Sequence, residues 1–438
     1  MGDSKNRNMC MDTAVDDYRT LIEETAEELA PELKKLALDI HGNPELGNQE
    51  FKACGWQADL LRKYGFEVEV GFAGIPTAYK AVYRGGAVGQ NSGAGGQSGA
   101  TNGQSRTGEQ ACSAARGPKL AMLAEYDALP DLGHGCGHNL IAMISVGAGL
   151  VIRRLVDQLG GEIHVIGTPA EETAGAKVEM ARKGAFQEYD AVMMAHPMHE
   201  NFTSMDTLAM YCRTFEFFGK TAHAAAAPYE GCNALDAVIN FFNLVNALRQ
   251  QTKPDARIHG IITNGGAAPN VIPDYTSALF YIRAEKVAYV EELLQKITAC
   301  AEAAALGTGT TVKISKAEED FKDTCSNLYL ADLACRQLEK LGVAIPNPGR
   351  TVIPGSSDLG DVSYQCPAIQ LCCGMGRDEG EGQYGPHTIE FARHAGSEQA
   401  LENAIAFVKG FAMTAAELLT NPDHLAAIRK EFEAIRQV

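Results

Sequence analysis

The chain has 438 residues, 45% of them hydrophobic, and a formal net charge of −17. That length exceeds a single hydrophobic core and sets two domains as the expectation, while the acidic balance excludes nucleic-acid binding, which needs basic patches. Twelve scattered cysteines without a CxxC framework point to a reducing compartment, and so to a cytoplasmic location.

The opening MGDSKNRN lacks the apolar stretch of a secretory signal, and residues 1–15 read as a frayed tail. Residues 16–41 carry helical spacing through Leu21, Ile22, Leu29, Leu33, Leu36 and Ile40, with an interruption expected near Pro31. A second amphipathic helix is predicted over 51–64. Residues 81–83 open a strand hairpin that a long insertion, 85–118, then breaks. That insertion is rich in Gly, Ser, Gln and Ala and is nearly free of large apolar residues. Such a segment cannot offset its ordering entropy by burial, so a disordered surface loop is expected. Strand character resumes at LAMLAE (120–125) and recurs at IHVIGT (163–168) and AVMMAH (191–196), with helices predicted at 140–159 and 176–183. This alternation predicts an α/β domain with a mainly parallel sheet. No apolar run approaches the roughly 18 residues of a membrane span, so no membrane partner is expected.

From 205 to 316 the pattern changes to strand, helix, strand, strand, helix, strand, a ferredoxin-like βαββαβ unit. Residues from 317 return to α/β character. The expected organisation is a first domain over 1–204 and 317–438, interrupted by an inserted domain over 205–316.

Chemistry concentrates where the predicted parallel strands end, the rim on which ligands collect in open α/β sheets. GHGCGHN (133–139) supplies Cys136 and His138, and TPAEE (168–172) supplies the adjacent Glu171 and Glu172. Thiolate, imidazole and carboxylate are the side chains that bind a borderline divalent cation. Cys136 and His138 alternate with Gly137, so both can project to one side of an extended turn. Two neighbouring glutamates allow one to hold metal while the other moves protons. His196 in MMAHP and His387 in YGPHT complete a ligand set, and the whole points to metal-assisted amide hydrolysis. Zn²⁺ suits this donor mix, and Mn²⁺ or Co²⁺ also fits.

These motifs resemble the dinuclear-metal peptidase and amidohydrolase family of aminoacylases, glutamate carboxypeptidases and indoleacetyl-amino-acid hydrolases. The branch most similar is that of β-alanyl-lysine dipeptidases and aminobenzoyl-glutamate hydrolases. The resemblance runs in order through HGNPELGNQE (41–50), LAEYDALP (123–130), GHGCGHN, GTPAEETAGAK (167–177), MAHP (194–197), FFGKTAHAAAAPYEGCNALDA (217–237), HGIITNGGAAPNVIPDYTSALFYIRA (259–284) and SSDLGDVS (356–363). It implies two divalent metals per chain, bridged by the Cys136 thiolate, with His138 and His196 at one and Glu172 and His387 at the other. It assigns Glu171 as general base and acid. It brings His223 across a homodimer interface to the partner's active site as a donor to the carbonyl oxygen. It gives Asn270 and Arg283 to the substrate carboxylate, a role the bidentate Arg fork suits, and places Ser356 and Ser357 on the substrate side.

One position departs from the wider family, where a His-x-Asp pair is common. Here Glu125-Tyr126-Asp127 stands there, so Asp127 is expected to orient a metal ligand. Glu125 has the same role, a substrate contact or plain structural polarity open to it, and His134 either orients a ligand or caps. The implied activity is hydrolysis of a dipeptide or N-acyl amino acid, with β-alanyl-lysine-like dipeptides as the leading substrates and aminobenzoyl-glutamate as the runner-up. An amide-forming enzyme using the same site in reverse is the second reading. A non-catalytic scaffold is the third, and the intact Glu171 beside a full ligand set argues against it.

Overall fold

The computed structural model describes residues 3–85, 117–204, 206–346, 352–376 and 384–435. The insertion expected to be a disordered loop falls almost wholly outside the described residues.

The first helix runs Asp3–Gly42 with no break at Pro31, which corrects both the expected tail and the expected interruption. Pro31 is exposed, whereas Ile22, Leu29, Leu33, Leu36 and Ile40 are buried along one stripe. An interior proline costs about 3 kcal/mol. Burial of each large aliphatic stabilises by about 1.5–3 kcal/mol, so the stripe outweighs the proline.

A six-stranded sheet forms the frame of the site. Its spatial order is Glu67–Val70, Tyr79–Arg84, Glu162–Gly167, Lys119–Ala124, Ala191–Met198 and Ala368–Gly374. The first two strands pair antiparallel with each other, and Tyr79–Arg84 pairs antiparallel with Glu162–Gly167. The remaining neighbours are parallel. The expected hairpin across the insertion is therefore absent from the described sheet. Lys119–Ala124 is buried on both faces and takes a central place between two parallel neighbours, as a continuous apolar run favours. Both ends of the insertion instead dock on one turn: Gly85 N donates to Gly161 O (3.2 Å) and Glu162 N donates to Pro118 O (2.9 Å).

Helix His138–Leu159 covers one face of this sheet. Among the described helices it alone is long and apolar enough to cross a membrane, but 89% of that stretch is buried inside the fold. Its glycines explain the depth. A Cβ on Gly147 would lie 2.7 Å from Val408 and 2.9 Å from Leu33. The helix thus wedges between Asp3–Gly42 and Glu398–Thr420.

Between Ala209 and Lys316 the chain builds a second sheet, wholly antiparallel, in the order Thr311–Lys316, Ala209–Phe218, Tyr275–Ala284, Arg257–Asn264. With helices Ala234–Leu248 and Val287–Thr308 this is the βαββαβ arrangement. It has its own core, centred on Phe215, Phe241 and Phe280, whose ring centroids lie 4.6–5.7 Å apart. Arg257–Asn264 is an edge strand, and Ile261 on it is 63% exposed.

Candidate metal centre

The site is assembled at the carboxyl ends of the parallel strands. Gly137 adopts φ 74°, and a Cβ there would lie 2.9 Å from Pro197. Only glycine accepts that backbone and that approach. Gly137 is thus a left-handed residue at the start of helix His138–Leu159 and not part of an extended turn, and it presses the motif against strand Ala191–Met198. Cys136 Sγ consequently lies 3.5 Å from His196 Nε2.

Hydrogen bonds aim each imidazole. His196 Nδ1 donates to Pro197 O (2.8 Å), which leaves Nε2 as the donor atom towards Cys136. His138 Nδ1 donates to Asp127 Oδ1 (2.9 Å), which directs Nε2 inward. The other oxygen of Asp127 accepts from Glu172 N (2.9 Å), so one carboxylate orients two ligand motifs. Glu50 Oε1 accepts from Ala170 N (2.8 Å), where Ala170 holds φ 57°. Segment 41–50 is therefore a buttress for the PAEE loop. His387 N donates to Gly135 O (2.8 Å) and its Nε2 lies 3.3 Å from Glu172 Oε1.

Three overlapping trios result: Cys136, His138 and His196; Cys136, Glu172 and His387; and His138, Glu171 and Glu172. Within each, one ligand atom per residue lies within 4.8 Å of the others. Cys136 belongs to the first two. Ligands about 2.0–2.3 Å from a tetrahedral ion are separated by roughly 3.3–3.8 Å. The contacts Cys136–His196 (3.5 Å), Glu172–His387 (3.3 Å) and His138–Glu172 (3.8 Å) lie in that range. His138 Nε2 is buried with no hydrogen-bond partner, so the donor set fits divalent metal.

The two glutamates are driven apart electrostatically. Burial, then the charges of Glu172, Glu125 and Asp358, raise the Glu171 carboxyl well above the usual range. Burial would also raise Glu172, but the His387 hydrogen bond and the His138 charge outweigh it and hold it at about 2. Neighbouring carboxyls with opposite shifts are the pattern of an acid/base beside a ligand. Burial lifts the Cys136 thiol well above its ordinary value, so a cation is needed to make it thiolate.

Sequence reasoning missed a buried charge chain behind this centre. Lys177 Nζ lies 2.6 Å from Glu125 Oε1 and 2.6 Å from Asp358 Oδ1, and Lys177 N donates to Asp358 Oδ2 (3.0 Å). All three residues are fully buried. Glu125 Oε2 reaches within 3.3 Å of His138 Nε2, so Glu125 sits against a candidate ligand and not on the cavity wall. His134 contacts Ile40 O (3.1 Å), in the last turn of the first helix, which is the capping alternative.

A cavity of about 490 Å³ opens over the centre. Cys136, Glu171, Glu172, His196 and His387 form its floor, and Arg283, Ser356 and Ser357 its walls. Ser356 Oγ is buried without a partner, whereas Ser357 Oγ accepts from Leu359 N (3.3 Å). His223 and Asn270 do not line this cavity. They lie together on the exposed end of the second sheet, where Ala224 N donates to Asn270 O (3.0 Å) and His223 bridges to Val271.

Fold and site together define a metallo-hydrolase acting on amide bonds. The chain matches Peptidase family M20/M25/M40 over residues 121–414 and belongs to that family. It is 35% identical over 423 residues to the Xaa-Arg dipeptidase of Mus musculus, covering 94% of this chain and 91% of that protein. It is 32% identical over 315 residues to a p-aminobenzoyl-glutamate hydrolase subunit of Escherichia coli (strain K12), covering 67% and 58%. Among solved structures, the aminobenzoyl-glutamate utilization protein of Klebsiella pneumoniae superposes with TM-score 0.64 at 18% identity, covering 90% of this chain and 98% of that one. A dinuclear metal-binding M20 peptidase of Bacillus subtilis does so with TM-score 0.62 at 17% identity, covering 89% and 99%. Divalent-metal use and hydrolysis of dipeptides or acyl-amino acids follow from the family and these relatives.

Proposed function

We propose that the chain is a dipeptidase that releases a basic C-terminal amino acid, with β-alanyl-lysine-like dipeptides foremost. The observation that carries this reading is one cavity lined by Cys, His and Glu donors, an acid-base glutamate and a half-buried arginine. The name of the Mus musculus relative, an Xaa-Arg dipeptidase, supports a basic leaving residue.

In this reading two ions, Zn²⁺ foremost with Mn²⁺ or Co²⁺ also fitting, would be held by His138 and His196 and by Glu172 and His387, with Cys136 common to both sets. The bound ions supply Lewis-acid polarisation and an acidified water. Glu171 takes the proton of the attacking water and hands it to the leaving nitrogen. Arg283 grips the substrate carboxylate through its fork. His223 Nδ1 accepts from Ala225 N (3.3 Å) and Ala226 N (3.2 Å), so its Nε2 carries the proton and is a donor. Because His223 stands outside its own cavity, it serves the partner of a homodimer, and Asn270 travels with it. The exposed edge strand with Ile261 and Ile262, and Ile239 and Leu244 on the adjoining helix, support that interface. The inserted unit over 205–316 is then the dimerising one. A cytoplasmic location belongs to the same proposal; the ten cysteines whose side chains are described are all free.

The test is a hydrolysis screen of the metal-loaded protein against β-alanyl, γ-aminobutyryl, acyl and aminobenzoyl conjugates, read by mass spectrometry. Conjugates of lysine and arginine should be cleaved fastest. Preference for aminobenzoyl-glutamate would move the chain to the runner-up, and no cleavage by fully loaded protein would refute hydrolysis.

A further inference from the structure

Among the described residues three carboxylates line the cavity, and of these only Glu318 stands outside the metal cluster. Its chain neighbours are neutralised: Glu319 pairs with Arg182, and Asp320 is held by both Arg213 nitrogens (2.6 and 3.0 Å). Glu318 has no Lys or Arg ion pair among the described residues. Tyr281 OH donates to its Oε1 (2.7 Å), which leaves Oε2 for the cavity. Reciprocal bonds between Met210 and Phe321 (both 2.9 Å) fix this segment against strand Ala209–Phe218.

Tyr281 and Arg283 are two residues apart on strand Tyr275–Ala284, so they share a face about 6.7 Å apart. The Arg283 guanidinium carbon lies 5.7 Å from the Tyr281 ring centroid, and Arg283 Nε is buried without a partner. One wall therefore carries a cation for a carboxylate and, beyond the Tyr281 ring, a carboxylate for a cation. The Tyr281 side chain spans the interval between them, in contact with Arg283 at its ring and with Glu318 at its hydroxyl. Met198, Met210, Phe321 and Ile353 supply apolar surface for its methylenes.

We propose that Glu318 is the specificity residue that recognises the cationic side chain of the leaving amino acid, while Arg283 holds its α-carboxylate. This rests on the dipeptidase reading and deepens it. A cationic N-terminal amine on the acyl half is the other source of positive charge. It is disfavoured because the carboxylate-binding arginine and Glu318 share one wall, and the carboxylate belongs to the leaving residue.

The experiment compares Nα-acetyl-lysine, Nα-acetyl-norleucine and β-alanyl-norleucine as substrates of the metal-loaded enzyme, wild type and Glu318→Gln. The glutamine keeps an acceptor for Tyr281 and removes the charge. The ratio of kcat/KM for acetyl-lysine over acetyl-norleucine should fall roughly 10- to 150-fold, the scale of one charge-assisted hydrogen bond. The β-alanyl-norleucine to acetyl-norleucine ratio should not move. Tyr281→Phe, which loosens Glu318 but keeps its charge, should lower the first ratio less. Calorimetric binding of free lysine and norleucine is the readout independent of turnover. Lysine binding lost in Glu318→Gln, with no dipeptide cleaved by wild type, would uphold the subsite and refute the dipeptidase. Cleavage with an unchanged lysine-to-norleucine ratio, or a loss that follows the β-alanyl amine, would overturn the subsite and leave the dipeptidase standing.

Discussion

Replacing Lys177 by Met isolates the buried charge chain. The substitution keeps an unbranched side chain and removes the ammonium that bridges Glu125 and Asp358, each 2.6 Å from it. Deleting one partner of a buried ion pair costs about 3–5 kcal/mol, because the other charge stays desolvated. Here two carboxylates lose their partner, so the upper half of that range applies. At roughly 1.5 °C per kcal/mol for a domain of this size, the melting temperature should drop by about 6–8 °C. Adding Asp358→Asn removes one orphaned charge and should recover part of the loss, a non-additive result expected of residues in contact. Glu125 also loses its anchor beside His138, so metal affinity should fall roughly 10- to 100-fold, as for partners that orient a ligand. Calorimetry with a metal titration reads both effects. A variant that melts within about 1 °C of wild type with equal metal affinity would refute the reasoning.

Glu171→Gln should bind metal normally while kcat falls roughly 10²–10⁴-fold, whereas Glu172→Gln and Cys136→Ala should lose metal and activity together; identical behaviour of the two glutamate variants in metal analysis and kinetics would refute the division of labour. Burial pushes the Glu50 carboxyl from 4.5 up to about 7, so between those values the folded chain keeps a proton that the unfolded chain has released. Its contribution is complete below about pH 4.5 and is lost as pH rises through 7, roughly 3 kcal/mol at about 1.36 per pH unit, and Glu50→Gln should flatten that slope in urea titrations from pH 5 to 8. His223→Ala should lower kcat without loss of metal. Mixed with inactive Glu171→Gln protein under conditions that allow protomers to exchange, it should recover about a quarter of wild-type activity, since half the dimers carry one complete site; no recovery despite proven exchange would place His223 in its own chain's chemistry or outside it.

The candidate donors were legible because each sits in a short motif that follows or ends a predicted strand, and donor type and order survive without coordinates; the structure brings them within 4.8 Å in overlapping trios. Asp127 was legible as an orienting residue for the same reason, two positions past a parallel strand. Lys177 and Asp358 were not. A lysine within AGAK at the start of a helix reads as solvated surface, and only packing shows that it is buried against two carboxylates separated from it by 52 and 181 residues. Pro31 misled for a related reason: local propensity is a few kcal/mol, and a tertiary stripe of five aliphatics exceeds it. The pairing of Tyr79–Arg84 was misjudged because adjacency in sequence favoured a hairpin, whereas a central parallel place buries both faces of Lys119–Ala124.

The placement of the substrate-facing residues constrains how the proposed enzyme works. Arg283 and His223 come from the same small sheet, yet only Arg283 enters the cavity of its own chain. The strand that carries Arg283, Tyr275–Ala284, is internal and rigidly paired on both sides. The loop of His223 extends past the strand end and is tied to the neighbouring loop by Ala224 N to Asn270 O (3.0 Å), Ile272 N to Ala222 O (2.9 Å) and the His223–Val271 bridge. In the proposed homodimer Arg283 would hold the substrate carboxylate within one protomer, while His223, with Asn270 beside it, would come from the second. Positioning and oxyanion stabilisation would then separate experimentally: dilution below the dimer dissociation constant should lower kcat and leave the binding of a product amino acid largely intact.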